Sequence, residues 1–353
     1  MLRRSLFKAV VALAGTAGLA PMIYTLLLAL GMLLTPSPAR SQLVPGSMDV
    51  HWNEGASDCS KSSAPPLQVH QYNPQTFILR ENLCMTYEGP FMYLLVGSTK
   101  ALLVDTGYVA DPNQVPLANT VLHLLSTDRS RKIPLLVVHT HRHQDHRAGD
   151  SQFMQLSDVQ VVGFDIDSVR HYYNFTNWPN GLAQIDLGDR TVDVIPTPGH
   201  NETEVSFYDR NTGLLFTGDF LMPARLLIDD TSADLASAER VAAFAKDRPI
   251  SFVLGGHIEL NSAGDFFSGE SQFHPQEHVL QMTKDDVLAL PAAVRSFNGV
   301  YTVRGKFTMD NPVRILVALA VLVIAVMVPL VWMLIRYIRG RKRAHTLRTE
   351  IQG

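Results

Sequence analysis

The stretch that most constrains the fold is a cluster of metal-binding side chains that directly follows an apolar run. Residues 134–138 read Pro-Leu-Leu-Val-Val, and the next eight residues contain His139, His141, His143, Asp145 and His146. An apolar run of this length predicts a buried strand, which would deliver the polar side chains to the rim of a sheet. Two histidines two residues apart on a turning backbone suit one borderline ion such as zinc. A solvated His-rich loop is the alternative interpretation.

The order of these residues resembles the signature of the metallo-β-lactamase superfamily, Thr-His-x-His-x-Asp-His, which begins here at Thr140. The family also requires ligands at the ends of later strands. His200 follows Thr-Pro-Gly, Asp219 follows Phe-Thr-Gly and His257 follows Gly-Gly. The resemblance covers roughly residues 77–307 and implies an α/β fold, the four-layered αββα sandwich.

The resemblance also implies the roles of the ligands in a site for two Zn²⁺ ions. The first ion would be held by His141, His143 and His200, the second by Asp145, His146 and His257, with Asp219 as the bridge. Such a site keeps positions open for water, and a hydroxide between two cations forms near neutral pH. Asp145 would orient it and pass a proton to the leaving group. Asp105, at the end of an apolar run, is expected either to orient a ligand imidazole or to cap a turn.

The resemblance favours a hydrolase that acts on an ester, lactone or thioester. Enzymes of this family that destroy β-lactams typically carry Cys or Ser where this chain has Asp219. Glyoxalase II adds a helical C-terminal domain, for which residues 258–312 are short. Two alternatives remain open: a persulfide dioxygenase-like oxidoreductase with one Fe²⁺, and a membrane-tethered module that binds metal without catalysis.

Apolar segments lie near both ends of the 353-residue chain. Residues 9–34 carry no charge and follow a basic start, so residues 1–35 are expected to be a signal peptide or an N-terminal membrane anchor. Residues 313–336 are expected to form a transmembrane helix, and residues 337–353 a basic cytoplasmic tail. The basic flanks place the intervening chain on the non-cytoplasmic, periplasmic or extracellular side. Residues 36–75, rich in Pro and Ser, are expected to be a linker before a domain at 76–312.

The charge of the chain limits the kinds of substrate and partner that it can bind, and its two cysteines allow a disulfide. Residues 36–313 contain 20 basic and 32 acidic residues. A nucleic-acid enzyme would need the opposite balance, so we expect a small-molecule substrate, contact with the lipid bilayer and no nucleic acid. The sequence does not fix an oligomeric state. The two cysteines, Cys59 and Cys84, form a disulfide in one interpretation and are unrelated thiols in the other.

Periodicity predicts most elements around these motifs. Residues 113–127 and 233–245 have helical spacing, and Thr283 to Asp286 resembles a capping box that opens a last helix. Hairpins are expected at 189–196 and 204–219, and residues 251–254 are expected to be the strand before His257.

Overall fold

The computed structural model describes residues 42–126 and 133–351 of the chain. The strands are β1 (Leu67–Asn73), β2 (Thr76–Glu81), β3 (Phe91–Val96), β4 (Ala101–Val104), β5 (Leu135–Val138), β6 (Val159–Val161), β7 (Ala183–Asp186), β8 (Thr191–Pro196), β9 (Val205–Asp209), β10 (Leu214–Gly218), β11 (Leu226–Leu227), β12 (Phe252–Gly255), β13 (Gln281–Met282), β14 (Tyr301–Arg304) and β15 (Phe307–Asp310). The α-helices are α1 (Leu117–Ser126), α2 (Ile166–Tyr172), α3 (Thr231–Lys246), α4 (Lys284–Arg295) and α5 (Pro312–Ile351). Short 3₁₀ turns cover Cys59–Lys61, Gln144–His146 and Ala148–Gln152.

The strands form two six-stranded sheets and one small sheet. The first sheet has the order β1-β2-β3-β4-β5-β6, and the second has the order β13-β12-β10-β9-β8-β7. β1 to β4 are antiparallel, whereas β4, β5 and β6 are parallel, so the first sheet begins as a meander and ends with crossovers. The third sheet has the order β11-β15-β14.

Three apolar clusters show how the sheets and helices stack. Leu102 and Leu136 of the first sheet pack with Phe207 and Phe216 of the second in a core between the sheets. Alternate residues of the same strands face the other way: Leu103 and Val137 pack with α1 on the outer face of the first sheet. The outer face of the second sheet packs with α3 and α4. Strands buried on both faces need continuous apolar runs, which explains residues 135–138. The expected αββα layering is confirmed.

Two expectations from the sequence are wrong. Residues 189–196 do not form a hairpin, because Thr191–Pro196 is one strand that pairs with β7. Asp193, inside this strand, is buried and paired with Arg210. The expected linker at 36–75 contains β1, which pairs with β2, and Trp52 is buried in the core between the sheets. The folded domain therefore begins well before residue 76.

The C-terminal helix is longer than the apolar segment that predicted it. α5 runs from Pro312 to Ile351, and its Pro312–Gly340 part is long and apolar enough to cross a membrane. The side chains of that part are exposed. The helix thus continues into the segment expected to be a basic tail. The N-terminal segment 1–35 lies outside the described residues, as does Thr127 at the end of the first predicted helix.

Candidate metal centre

The candidate site lies where strands of both sheets end at one edge of the molecule. Five strands, β4, β5, β8, β10 and β12, each lead into a short loop that carries predicted site residues. These are Asp105 after β4, the 139–146 segment after β5, His200 after β8, Asp219 after β10 and His257 after β12. The carboxyl ends of such strands are where α/β folds place their ligands.

Three histidines form the first cluster. The Nδ1 atom of His143 lies 2.9 Å from His141 Nε2 and 3.0 Å from His200 Nε2. His141 and His200 are buried, and His143 is half-buried. This is the triad expected for the first ion.

Asp145, His146 and His257 form the second cluster. The Oδ2 atom of Asp145 lies 3.1 Å from His146 Nε2 and 3.1 Å from His257 Nε2. The two Nε2 atoms are 3.2 Å apart. These residues come from the turn after β5 and the end of β12, so only the packing of the two sheets joins them.

Asp219 lies between the clusters and turns one oxygen to each. Its Oδ1 is 3.4 Å from His146 Nε2 and 3.6 Å from His257 Nε2. Its Oδ2 is 3.6 Å from His200 Nε2 and 4.0 Å from His141 Nε2. Oδ1 is buried without a hydrogen-bond partner among the described residues, an unsatisfied state that is costly for a carboxylate. A cation on each side of Asp219 would satisfy both oxygens.

The imidazole tautomers also fit metal binding. Three rings have Nδ1 beside a fixed acceptor: His146 at 2.9 Å from Asp105 Oδ2, His200 at 2.9 Å from Leu227 O, and His257 at 2.8 Å from Glu88 O. Because these acceptors cannot donate, Nδ1 carries the proton and Nε2 presents its lone pair to the centre. Two such lone pairs facing each other repel unless a positive charge lies between them. A proton on one Nε2 or a divalent ion supplies that charge.

The electrostatics of the centre favour positive charge. Burial raises the pKa of Asp219, but His257 and His146 outweigh burial and hold the pKa of this carboxyl well below its usual range. The balance at Asp145 is the same: burial raises its pKa, but His146 and His257 outweigh burial, so the net pKa is lowered. Burial lowers the pKa of His257, yet Asp219 and Asp145 raise it to about 9. Metal uptake at the second cluster would therefore displace protons from His146 and His257, whose pKa values are both raised.

Glycine at 256 keeps the second cluster compact. A Cβ at this position would lie 2.5 Å from Asp219 Oδ1 and 2.8 Å from His146 Cε1, inside their van der Waals radii. A side chain at residue 256 would therefore collide with Asp219 and His146. The Gly-Gly-His motif is thus a packing requirement as well as a strand end.

Asp105 lies behind the second cluster, in contact with His146. Its Oδ1 accepts from Thr140 N at 2.7 Å, and its Oδ2 accepts from Thr140 Oγ1 at 2.9 Å. With the bond from His146 Nδ1, the carboxylate fixes both the start of the motif and one imidazole. Of the two roles open for Asp105 from the sequence, this contact agrees with the orientation of an imidazole, that of the candidate ligand His146.

Glu204 is a site residue that the sequence analysis did not identify. It is buried, and its Oε1 accepts from the backbone N–H groups of Asp219 and Phe220 at 3.2 and 2.9 Å. Burial first, and then the charge of Asp219, raises the pKa of Glu204 well above its usual value. A carboxyl directly before the strand Val205–Asp209, which is buried throughout, was the signal in the sequence that could have identified it.

A cavity of about 280 Å³ adjoins the second cluster at His257. Its walls include Leu227, Arg225 and the loop 267–271. His274 also lines it, stacked on Phe267 with ring centroids 4.1 Å apart. The cavity gives a small molecule a route to the candidate centre.

The remaining predicted residues lie apart from the centre. Cys59 and Cys84 form a disulfide. It joins the turn at Cys59–Lys61 to the chain after β2, and neither cysteine belongs to the two clusters.

Comparison with known proteins identifies the family. The family model described as the metallo-beta-lactamase superfamily matches residues 86–257, which span all seven candidate ligands. A hydroxyacylglutathione hydrolase of Rhodobacter capsulatus is 32% identical over 166 residues, 46% of this chain and 61% of the relative. An acyl-coenzyme A thioesterase MBLAC2 of Gallus gallus is 25% identical over 206 residues, 49% of this chain and 73% of the relative.

A further hydroxyacylglutathione hydrolase, of Methylobacillus flagellatus, is 28% identical over 148 residues, 40% of this chain. The chain spans 50% and 61% of the lengths of the two bacterial relatives. A solved metallo-beta-lactamase from Pontibacter korlensis aligns with a TM-score of 0.44 at 18% identity, over 64% of this chain and 99% of that one. The matched family model shows that residues 86–257 form a metallo-β-lactamase superfamily domain.

Proposed function

We propose that the protein is a zinc-dependent hydrolase that cleaves an ester, lactone or thioester of a small molecule. The observation that carries the proposal is the position of Asp219, whose two oxygens face two separate clusters of donors. A structural zinc site would instead close around one ion with four protein ligands. The relatives named hydroxyacylglutathione hydrolase and acyl-coenzyme A thioesterase support hydrolysis over the dioxygenase and non-catalytic alternatives.

Seven side chains would hold the metals. His141, His143 and His200 would bind one ion, Asp145, His146 and His257 the other, and Asp219 both. When bound, two zinc ions lower the pKa of water to about 7 and polarise a carbonyl oxygen. The donor set fits this role, since five histidines and two carboxylates are fixed by contacts among themselves and with the backbone.

Asp145 is the side chain that we assign to proton transfer. Its Oδ2 faces His146 and His257, whereas within the described part of the chain no contact of this kind involves its Oδ1. Its side chain is 17% exposed, against 9% for Asp219, so the carboxylate borders the accessible space of the site. In the proposed reaction Oδ1 would orient an attacking water and then protonate the leaving group.

We also propose that α5 anchors the domain in a membrane with the domain outside the cytoplasm. The apolar part of α5 has exposed side chains, and basic residues follow it. The disulfide is typical of an oxidising compartment, and the acidic balance of the domain argues against nucleic acid as a substrate.

The test combines metal analysis with a substrate panel. Purified full-length protein should contain close to two zinc ions per chain. It should hydrolyse at least one member of a panel of chromogenic esters, lactones, thioesters, phosphodiesters and β-lactams. Asp145→Asn should lower kcat by about 10²-fold or more, because the amide keeps the size of the side chain but cannot accept a proton. Asp167→Asn, on the exposed face of α2, is the matched control and should leave kcat unchanged.

Three outcomes would contradict the proposal. One iron and no zinc per chain would favour the dioxygenase interpretation. Activity on phosphodiesters alone would assign a different substrate class. Equal kcat for wild type and Asp145→Asn would remove the proposed role of that carboxylate.

A further inference from the structure

Asn311 clamps the first turn of α5 to the folded domain. Its buried side chain accepts from Arg314 N at 2.9 Å and donates from Nδ2 to Ile228 O at 2.7 Å. The same residue therefore caps the helix and binds the segment after β11. A helix that served only as a loose tether would not require a junction of this kind.

The β14–β15 hairpin is fixed beside the same helical turn. Asn311 N donates to Val300 O at 2.9 Å, and Arg314 Nη1 donates to Gly299 O at 3.2 Å. Tyr301, the first residue of β14, pairs with Asp310, two residues before the helix begins. β14 is an edge strand of its sheet, and the side chain of Tyr301 is 50% exposed.

The same sheet connects the helix to the candidate metal centre. β11 pairs with β15 in parallel, with Leu227 opposite Asp310. Paired strands are about 4.8 Å apart and two further residues span at most about 7 Å, so the helix begins within about 12 Å of Leu227. The carbonyl of Leu227 is the acceptor for His200 Nδ1. A second link runs from the N–H groups of Asp229 and Asp230 to Gly199 O.

The charge of the cavity argues against a substrate whose acyl group is attached to a carrier with several negative charges. Three carboxylates line it: Glu88, Glu259 and Glu270. The guanidinium of Arg225, which also lines it, is paired with Glu259 at 2.9 Å. Apart from His257, the charged groups of the lining are these three carboxylates and the paired guanidinium, so a carrier with several phosphates would meet net negative charge from these walls. An acyl ester or thioester without such a carrier avoids this repulsion.

We propose that this junction holds the candidate centre at the headgroup layer of a bilayer, with Tyr301 in contact with that layer, and that the substrate is a long-chain acyl ester or thioester presented by the membrane. The inference rests on the proposed hydrolase function and membrane anchor. A bilayer is the occupant because the hairpin continues into an exposed apolar helix of membrane-spanning length. Tyrosine is also enriched at membrane interfaces, where its ring is apolar and its hydroxyl is hydrated.

The position of the hairpin can be measured without any activity. Both native cysteines form the disulfide, so Tyr301→Cys provides a single reactive thiol for a fluorophore. Full-length protein is reconstituted in vesicles of phosphatidylcholine and phosphatidylglycerol in which a fraction of the lipids carries bromine in the acyl chain near the headgroup. We expect these lipids to quench the label at residue 301. A label at Met154→Cys, an exposed position in the other half of the domain, should not be quenched.

A flexible insertion tests the clamp. About 20 Gly and Ser residues placed between Asn311 and Pro312 keep the domain and the helix but separate them by a coil of several nanometres at full extension. The insertion should abolish quenching at residue 301. It should lower kcat/KM about tenfold for a long-chain acyl thioester in the vesicle, because the effective concentration at the membrane falls. Hydrolysis of a short, soluble thioester should stay within about twofold, since the centre itself is unchanged.

The outcomes separate this inference from the proposed function. No quenching at residue 301, or quenching that persists after the insertion, would overturn the membrane position. Equal effects of the insertion on both substrates would overturn the assigned substrate class. If the wild type hydrolyses neither thioester and no other member of the panel, the proposed function fails, while the quenching still decides the position of the hairpin.

Discussion

At the scale of single residues, Asp105 determines which nitrogen of the neighbouring His146 carries the proton. Its backbone adopts φ 65°, a left-handed conformation that turns the chain away from β4. The carboxylate then reaches both Thr140 and His146. Because it accepts from Nδ1 of His146, it leaves Nε2 of that ring as the donor atom for a metal.

Asp105→Asn should weaken metal binding at the second cluster. The amide can offer an N–H to His146 Nδ1, which favours the tautomer whose proton occupies the metal position. Changes of this kind cost about 10–100-fold in metal affinity, and competition with a chromogenic chelator would measure the loss.

The matched control is Asp150→Asn. Asp150 accepts from Thr106 Oγ1 at 2.9 Å and contacts His139 Nε2 at 2.8 Å, and His139 belongs to neither cluster. We expect the affinity to be unchanged in this variant. Equal losses in the two variants would mean that Asp105 acts only on the fold.

At the scale of elements, α3 supports the loop that carries His200. Its N-cap, Asp230, accepts from the backbone N–H groups of Ser232 and Ala233. One turn later Asp234 is buried against Gly199, where a Cβ on the glycine would lie 2.5 Å from Asp234 Oδ2. Burial raises the pKa of Asp234 to about 8, and the nearby Asp230 adds to the shift.

This shift predicts how stability depends on pH. An acid with a higher pKa in the folded than in the unfolded state binds its proton more tightly when folded. Stability is therefore lost as pH rises from the ordinary value of 3.8 towards about 8. Asp234→Asn removes this titration. The free energy of unfolding of the variant should therefore rise relative to that of the wild type by up to about 1.4 kcal/mol per pH unit across that window. Unfolding in detergent at pH 5 and at pH 7.5 would measure the gain.

Asp230→Asn should show the opposite trend. Hydrogen bonds from Ser232 and Ala233 lower the pKa of Asp230, so its charged form stabilises the fold above its ordinary pKa, and this stabilisation is lost as pH falls.

A gain in stability for Asp234→Asn that is the same at both pH values would show that Asp234 does not titrate in this window.

At the scale of the whole molecule, a buried ion pair joins the two large sheets. Arg190, in the turn before β8, pairs with Asp209 at the end of β9 at 2.7 Å. The same guanidinium donates to Gln75 O and Thr76 Oγ1 of the first sheet at 2.7 and 2.8 Å. The metal clusters take ligands from both sheets, so this link also helps to hold the site together.

Arg190→Ala should destabilise the domain by about 3–5 kcal/mol, because it leaves the buried carboxylate of Asp209 without its counter-ion. Arg142→Ala removes an exposed pair with Glu202 and should cost less than about 1 kcal/mol. Thermal unfolding of the two variants in detergent would compare them. Similar costs would show that Asp209 is satisfied by its other partners.

The proposed topology makes a separate prediction for the whole chain. A reporter that is active only outside the cytoplasm should be active when inserted near Asn311 and silent when fused after Gly353, because the basic residues after the apolar part of α5 stay inside. The reverse pattern would contradict the orientation. Thiol titration of the unfolded, unreduced protein should find no free cysteine, since both are in the disulfide.

The sequence by itself was sufficient for the features that short stretches of chain encode. The apolar run at 135–138 is buried on both faces, so its composition alone indicated a strand between two layers, and Thr283 with Asp286 forms the expected capping box. The seven candidate ligands follow strand ends in motifs that the family resemblance identifies. Each of these signals lies within a few residues, where local geometry and burial dictate the residue type.

Only the tertiary structure decided what depends on contacts between distant segments. The expected hairpin at 189–196 is a single strand, in which the charge of Asp193 is buried and compensated by Arg210. Glu204, the carbonyl of Leu227 and the clamp at Asn311 act through hydrogen bonds to residues far along the chain. No local pattern encodes such partners, because the energy of a buried polar group depends on what the fold places beside it. The ligand motifs were therefore readable in the sequence, whereas the groups that orient the ligands and join them to α5 were not.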